Sequence, residues 1–280
     1  MAQVKYRRPL QGYQLEILFW LYKYRFSLCS QITTGIGGVD YAGMQKRLRT
    51  LEAQGFIGKR YDKSYKFAGR PAEYYLHPKG ARYLRQYKDY VDIIDERIIK
   101  LLYQNKKVSD AFVNQCICIT DIILKLRALY IELSFVATQA DMVKNIHLPK
   151  WRPNVYIPRE KGGYSFFLDI EHEDTPFFVL VRKARSYLKY VEETWLPDAI
   201  PRPTFLFICA TASSKGKFRK QIERALEDFY DTETVFAITT RQQVENAVSS
   251  KDKIWEKITL NNESTMMALP VLNKGGSLYA

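Results

Sequence analysis

Asp169 and Glu171 stand two residues apart in the run Tyr164–Glu171, whose aromatic and apolar residues predict a β-strand. With a period of two, both carboxylates share one side with Phe167, and Phe166, Leu168 and Ile170 cover the other. Two carboxylates on one face could hold a divalent cation such as Mg²⁺. Lys183 and Tyr187 sit one turn apart on the next helix, Pro176–Glu193, and Pro153-Asn154 precedes a candidate strand at Asn154–Ile157. A second constellation is basic. In the helix Tyr41–Gln54, Met44, Leu48 and Leu51 form an inward stripe and leave Tyr41, Gln45, Lys46 and Arg49 outward. Arg suits guanine edges, Gln suits adenine, and Lys and Tyr suit phosphates, so this face could read a major groove. Lys59, Arg60, Lys63, Lys66 and Arg70 follow, interleaved with Tyr61 and Tyr65, as expected of strands that contact phosphates or a minor groove.

The elements that must carry the basic residues come in a recognisable order. Leu10–Arg25 returns its apolar residues to one helical face. Ser27 is placed to cap a short helix that the Gly35/Gly37/Gly38 cluster stops, and Asp40 is placed to cap Tyr41–Gln54. Phe56–Tyr61 and Glu73–His77 then read as a hairpin with a long tip from Asp62 to Pro71. Three short helices and a hairpin are the order of a winged helix-turn-helix domain, and Arg47-Leu48-x-x-Leu51-Glu52-x-x-Gly55-Phe56-Ile57 resembles the end of a recognition helix and the start of a wing in bacterial regulators. Pro78-Lys79-Gly80 opens a helix leaving the wing, and Lys88 to about Tyr130 reads as helical, with a break at Asn105–Ser109.

Downstream, β-like and helical segments alternate. Phe135–Ala137, Asn154–Ile157, Tyr164–Glu171, Thr204–Ala210 and Thr234–Ile238 read as strands, and Pro176–Glu193 and Lys215–Tyr230 as helices, so an α/β domain with a mixed sheet is expected. The expected organisation is an α+β chain: a winged helix over 1–90, a helical connector over 91–130, an α/β domain over 131–265 and a surface tail over 266–280. The apolar 111–131 helix could serve a homodimer interface or pack on its own sheet.

Charge divides along the same line. Of 43 Lys/Arg and 30 Asp/Glu, residues 1–90 hold 17 and 6, a balance of +11, and the rest of the chain holds only +2. A basic module beside a near-neutral one suggests double-stranded DNA as the partner of the first. No run reaches the roughly 18 apolar residues of a membrane helix, since Asp121 and Lys125 interrupt the best candidate, so a cytoplasmic protein with no membrane partner is expected. The four cysteines are too few for a disulfide scaffold. His77, His147 and His172 make no zinc spacing, and the absence of P-loop, Gly-x-Gly-x-x-Gly and Gly-x-Ser-x-Gly motifs argues against nucleotide-driven and serine-hydrolase chemistry.

An order of Pro-acid, strand acid-x-acid and nearby Lys resembles the restriction-endonuclease-like fold with its PD-(D/E)xK site. That resemblance implies Asp169 and Glu171 as metal ligands and Asp169, Glu171 and Lys183 as catalytic residues, the Lys assisting an attacking water. Winged helix, connector, Pro153-Asn154, the Phe167–Glu171 strand and the Lys183-x-x-x-Tyr187 helix together resemble the replication-relaxation family of bacterial plasmids and mobile elements, over roughly residues 10–230. The family resemblance implies a role in plasmid replication or DNA relaxation, a nucleoid- or plasmid-associated location and partners in that process. Two positions depart from an active nuclease. Asn154 stands where the first acid belongs, and Glu173 stands where the acid-x-Lys pattern from Glu171 requires Lys. The expectation is a DNA-binding protein with an inactive nuclease-like domain and no required cofactor. A Mg²⁺-dependent DNA nicking or cleaving enzyme and a winged-helix transcriptional repressor are the alternatives. Asp169, Glu171, Glu173 and Asp174 read most simply as a solvated acidic strand end, because charged residues are mostly exposed.

Overall fold

Ile17, Leu18, Leu21 and Tyr22 recur on one side of α1 (Tyr13–Tyr24), and their complete burial builds the core of the chain's first 108 residues. The computed structural model describes residues 9–10, 12–130, 133, 135–145, 148–158, 165–194, 202–229, 233–260 and 265–269. The chain divides into two units, Met1–Val108 and Ser109–Ala280.

In the first unit α1 is followed by β1 (Phe26–Leu28), α2 (Cys29–Ile36), α3 (Tyr41–Ala53), β2 (Ile57–Arg60), α4 (Lys63–Phe67) and β3 (Glu73–Leu76). Three helices, α5 (Pro78–Leu84), α6 (Lys88–Val91) and α7 (Glu96–Leu102), complete it. The Asp40 carboxylate accepts from Gly43 N at 2.9 Å and starts α3, whose Met44, Leu48 and Leu51 are fully buried. β3 is the middle strand of an antiparallel sheet ordered β1-β3-β2, with Tyr74 opposite both Ser27 and Lys59.

Two local expectations are corrected. Ser27 does not cap the second helix: it lies in β1, where its hydroxyl accepts from Trp20 Nε1 at 3.0 Å, and the Gln31 side chain instead takes the Leu28 N–H at the helix start. The hairpin tip is not all loop, because Asp62 accepts from the Ser64 and Tyr65 N–H groups and nucleates α4. Gly35 lies inside α2 for a steric reason. A Cβ there would come within 1.9 Å of the ring of Trp20, which is itself buried and hydrogen-bonded. Gly37, at φ 72°, closes the helix in a conformation that favours glycine.

In the second unit α8 (Asp110–Leu129) starts on a Ser109 cap, and β4 (Ala137–Thr138), α9 (Gln139–Met142), β5 (Val155–Ile157), β6 (Phe166–Ile170), α10 (Phe177–Thr194), β7 (Thr204–Cys209), α11 (Ala212–Phe229), β8 (Phe236–Thr240), α12 (Arg241–Asn246), β9 (Trp255–Ile258) and β10 (Thr265–Met267) follow. One mixed sheet runs β10-β9-β8-β7-β6-β5-β4, with β6, β7 and β8 parallel and the other pairs antiparallel. The protein is thus mixed α and β. The parallel strands are joined through α10 and α11, which bury Leu180, Tyr187, Leu188, Phe218, Ile222 and Leu226 against Phe167, Phe205, Phe207 and Phe236 on one sheet face. Phe166, Leu168 and Ile170, pointing the other way, are buried as well. α8 is held within its unit: Val113, Ile122, Ile123 and Leu126 are buried, and Gln115 Nε2 donates to the Ile170 carbonyl at 2.8 Å.

At the start of the expected surface tail Thr265–Met267 pairs with β9, while 270–280 lie outside the described residues, as do Tyr164 and His147. No helix among the described residues is long and apolar enough to cross a membrane. Replacing Gly35 by Ala should displace Trp20 and cost on the order of 1–3 kcal/mol. Urea denaturation followed by tryptophan fluorescence checks this; an unchanged midpoint would refute the contact.

Candidate functional site

Antiparallel pairing of β5 and β6, with Val155 opposite Leu168, brings Asn154 at the start of one strand beside Asp169 near the end of the other. The crevice outside the carboxyl ends of parallel strands is where open α/β sheets place their sites, and Asp169 stands at that end of β6. Its carboxylate is 3% exposed yet fully engaged. Oδ1 accepts from Lys183 Nζ and from Asn154 N, the latter at 3.2 Å, and Oδ2 accepts from the Tyr187 hydroxyl. Asn154 Oδ1 in turn accepts from Ile170 N at 2.9 Å. Lys183 and Tyr187, one turn apart on α10, therefore both reach the one buried anion. Burial holds the Tyr187 phenol well above its ordinary pKa, and the charge of Asp169 adds to the shift.

Glu171 goes elsewhere. It is also buried, but its Oε2 accepts from Ala210 N at 2.8 Å and both oxygens meet the hydroxyl of Ser214, in the first turn of α11. Burial, and next the charge of Glu171, push the Cys209 thiol up to about 12. Asp169 and Lys183 thus converge and Glu171 does not join them. The solvated acidic strand end holds only for Glu173 and Asp174; Asp169 and Glu171 are buried because the cation and donors that compensate them come from α10 and α11.

These residues do not fit a two-carboxylate Mg²⁺ site. Each carboxylate oxygen already accepts a protein donor, the two acids turn to different elements, and Asn154 can offer a metal only a neutral oxygen. Among the described residues no group of three or more His, Cys, Asp or Glu could hold a metal ion.

The basic residues of the first unit divide into two sets. On α3, Tyr41 is 50% exposed, Lys46 and Arg49 are exposed, and Gln45 is half-buried. Lys63 and Lys66 on α4 are exposed, and Lys59 makes a 3.4 Å surface pair with Glu52. Arg60 and Arg70 are instead turned in toward Glu73, a buried carboxylate on β3 that also accepts from the Tyr65 hydroxyl at 2.9 Å. Their Nε and Nη2 atoms lie 3.4 and 2.9 Å from it, and Arg60 also donates to the Val108 carbonyl at 3.0 Å. Sequence reasoning missed Glu73, Ser214 and Phe67, which is 90% exposed at the end of α4. A lone acid inside a β-prone run was the available signal for Glu73.

The sequence model of the replication-relaxation family matches residues 18–201, about two thirds of the chain and the span that includes α3, Glu73, Asp169 and Lys183. The chain belongs to the replication-relaxation family. Membership suggests a role in the replication or relaxation of plasmid or mobile-element DNA. No curated protein matches the chain at a significant level.

Removing one partner from the Asp169–Lys183 pair strands a charge out of water. Lys183→Ala should destabilise the protein by about 3–5 kcal/mol, and Lys183→Arg by less, because a cation is retained. Chemical denaturation of both variants measures this, and a wild-type midpoint in Lys183→Ala would exclude a structural role for the pair.

Proposed function

We propose that the protein binds double-stranded DNA through a winged helix formed by its first unit, and that its second unit is a restriction-endonuclease-like fold that has lost cleavage. The observation that carries the first part is the outward face of α3: Tyr41, Lys46 and Arg49 are presented from a helix capped by Asp40 and seated on Met44, Leu48 and Leu51. Exposed Lys63 and Lys66 stand on the hairpin that follows, within the ninety residues that hold nearly all of the net charge. A helix of this composition suits the major groove, and cations on a wing suit phosphates. In this reading Arg49 and Gln45 contact base edges, Lys46 and Tyr41 the backbone, and Lys59, Lys63 and Lys66 the flanking phosphates. Arg60 and Arg70 set the shape of the wing through Glu73.

The second part rests on the engagement of Asp169. Lys183 and Tyr187 supply to the carboxylate what a cation would otherwise supply, so the pair stabilises the fold rather than a reaction. Binding of duplex then needs no cofactor and plasmid DNA stays intact.

Two experiments follow. Duplex affinity should fall steeply with salt; Lys63→Ala and Lys66→Ala should weaken all sequences alike and each lower the salt slope by about 1, whereas Arg49→Ala should cost about 1–3 kcal/mol on the preferred site alone. Binding that ignores salt and all three substitutions would remove the winged-helix reading. Purified protein should also leave supercoiled plasmid intact with Mg²⁺ or Mn²⁺. Nicking by the wild type that disappears in a folded Asp169→Asn variant would establish an active nuclease.

A further inference from the structure

We propose that a groove beside Trp151 in the second unit binds single-stranded nucleic acid, with an arginine lying over two exposed aromatic rings as its base-stacking platform. The proposal goes beyond the DNA-binding reading above, with a different strand state and a different surface. The groove, about 600 Å³, runs between the segment Leu148–Trp151 and the outer face of α10. Arg182 Cζ lies 5.4 Å from the ring centroid of Trp151 and 5.4 Å from that of Phe178. Both rings keep exposed surface, 38% for Trp151 and 57% for Phe178. Water-facing rings of this size, fixed against a guanidinium, are surface that a partner with flat faces can cover.

The charges point to a polyanion. Lys150, Arg182, Arg185 and Lys189 line the groove against one carboxylate, Glu193. Among the described residues no carboxylate pairs with Arg182. Arg185 pairs with Asp228 at 2.8 Å and Lys189 with Glu193 at 3.4 Å, but all four side chains are about half exposed or more, and such surface pairs exchange readily for other anions. Positions 182, 185 and 189 fall three and four apart, so their cations form one stripe about 10 Å long on α10. The platform has a firm base. Arg152, next to Trp151, donates to the Met142 and Asn145 carbonyls, and Lys183, next to Arg182, is fixed on Asp169.

Aromatic faces beside a row of cations are the combination that binds unpaired strands, in which bases are free to stack on protein rings and phosphates follow the charges. In a duplex the bases already stack on one another, and an acidic peptide would use the cations without the rings.

Fluorescence anisotropy with labelled oligo-dT on one side and labelled duplex on the other, using the full chain, tests the proposal. Wild-type protein should bind oligo-dT, and Lys63→Ala/Lys66→Ala should retain that binding. Trp151→Ala and Arg182→Ala should each weaken oligo-dT by about tenfold or more while leaving duplex affinity and the urea midpoint unchanged. Trp151→Phe should keep most of the affinity, because a stacking face remains. Wild-type protein that does not bind oligo-dT, oligo-dT binding untouched by both substitutions, or equally tight binding of poly-glutamate in the same groove would overturn it. The duplex arm tests the winged-helix reading separately: its failure beside a Trp151-dependent oligo-dT signal would remove that reading and leave this one.

Discussion

A carboxylate that is 3% exposed must be compensated inside the protein, and the arrangement of the second unit follows from how Asp169 is. The acid sits near the carboxyl end of β6, its cation arrives from α10, and its remaining donors come from Tyr187 on the same helix and from the peptide nitrogen of Asn154. Three elements are tied at one point: β5, β6 and α10. A buried pair of this kind contributes little net stability over a well-packed apolar substitute, but losing one member is costly, so it fixes register and helix orientation more than it deepens the energy well. The aromatic cluster of Phe167, Tyr187, Phe205 and Phe207 then packs around a helix whose rotation is already set.

The first unit repeats the principle in miniature. Glu73 is buried on the middle strand, and Arg60, Arg70 and Tyr65 close on it from the strand beside it and from the hairpin tip. Arg70 also lies 4.5 Å from the centre of the Tyr65 ring. Burial raises the Tyr65 phenol above its usual pKa, which keeps its proton on the bond to Glu73. Two of the four cations that the sequence assigns to a nucleic-acid surface in the Arg60–Arg70 stretch are thereby engaged inside the hairpin, and Lys63 and Lys66 remain exposed.

Much of this was legible in the sequence where the signal is local. The stripe Met44, Leu48 and Leu51, the Asp40 cap and the alternation in Phe166–Ile170 each depend on residues within a few positions of one another, and each element lies close to its expected bounds. The one-turn spacing of Lys183 and Tyr187 placed two donors on one helix face, and the structure brings both to Asp169. What composition could not supply were partners distant along the chain. Ser27 reads as a cap until Trp20 and β3 claim it, Glu171 reads as a solvent-facing acid until Ser214 arrives from 43 residues away, and Met266–Met267 read as tail, because so short a segment shows no periodicity, until β9 pairs with them. Charge counting also has no means of knowing which arginines face inward.

The clasp on Glu73 has a mechanical consequence. Its members come from β2, α4 and the turn into β3, so the hairpin cannot open, twist or slide without breaking a buried ion pair. Such a hairpin is a stiff blade rather than a pliant finger. On the proposed reading, in which this hairpin lies against a double helix, the deformation falls on the softer body, and steps of the duplex that kink or narrow cheaply are favoured at positions where no side chain touches a base.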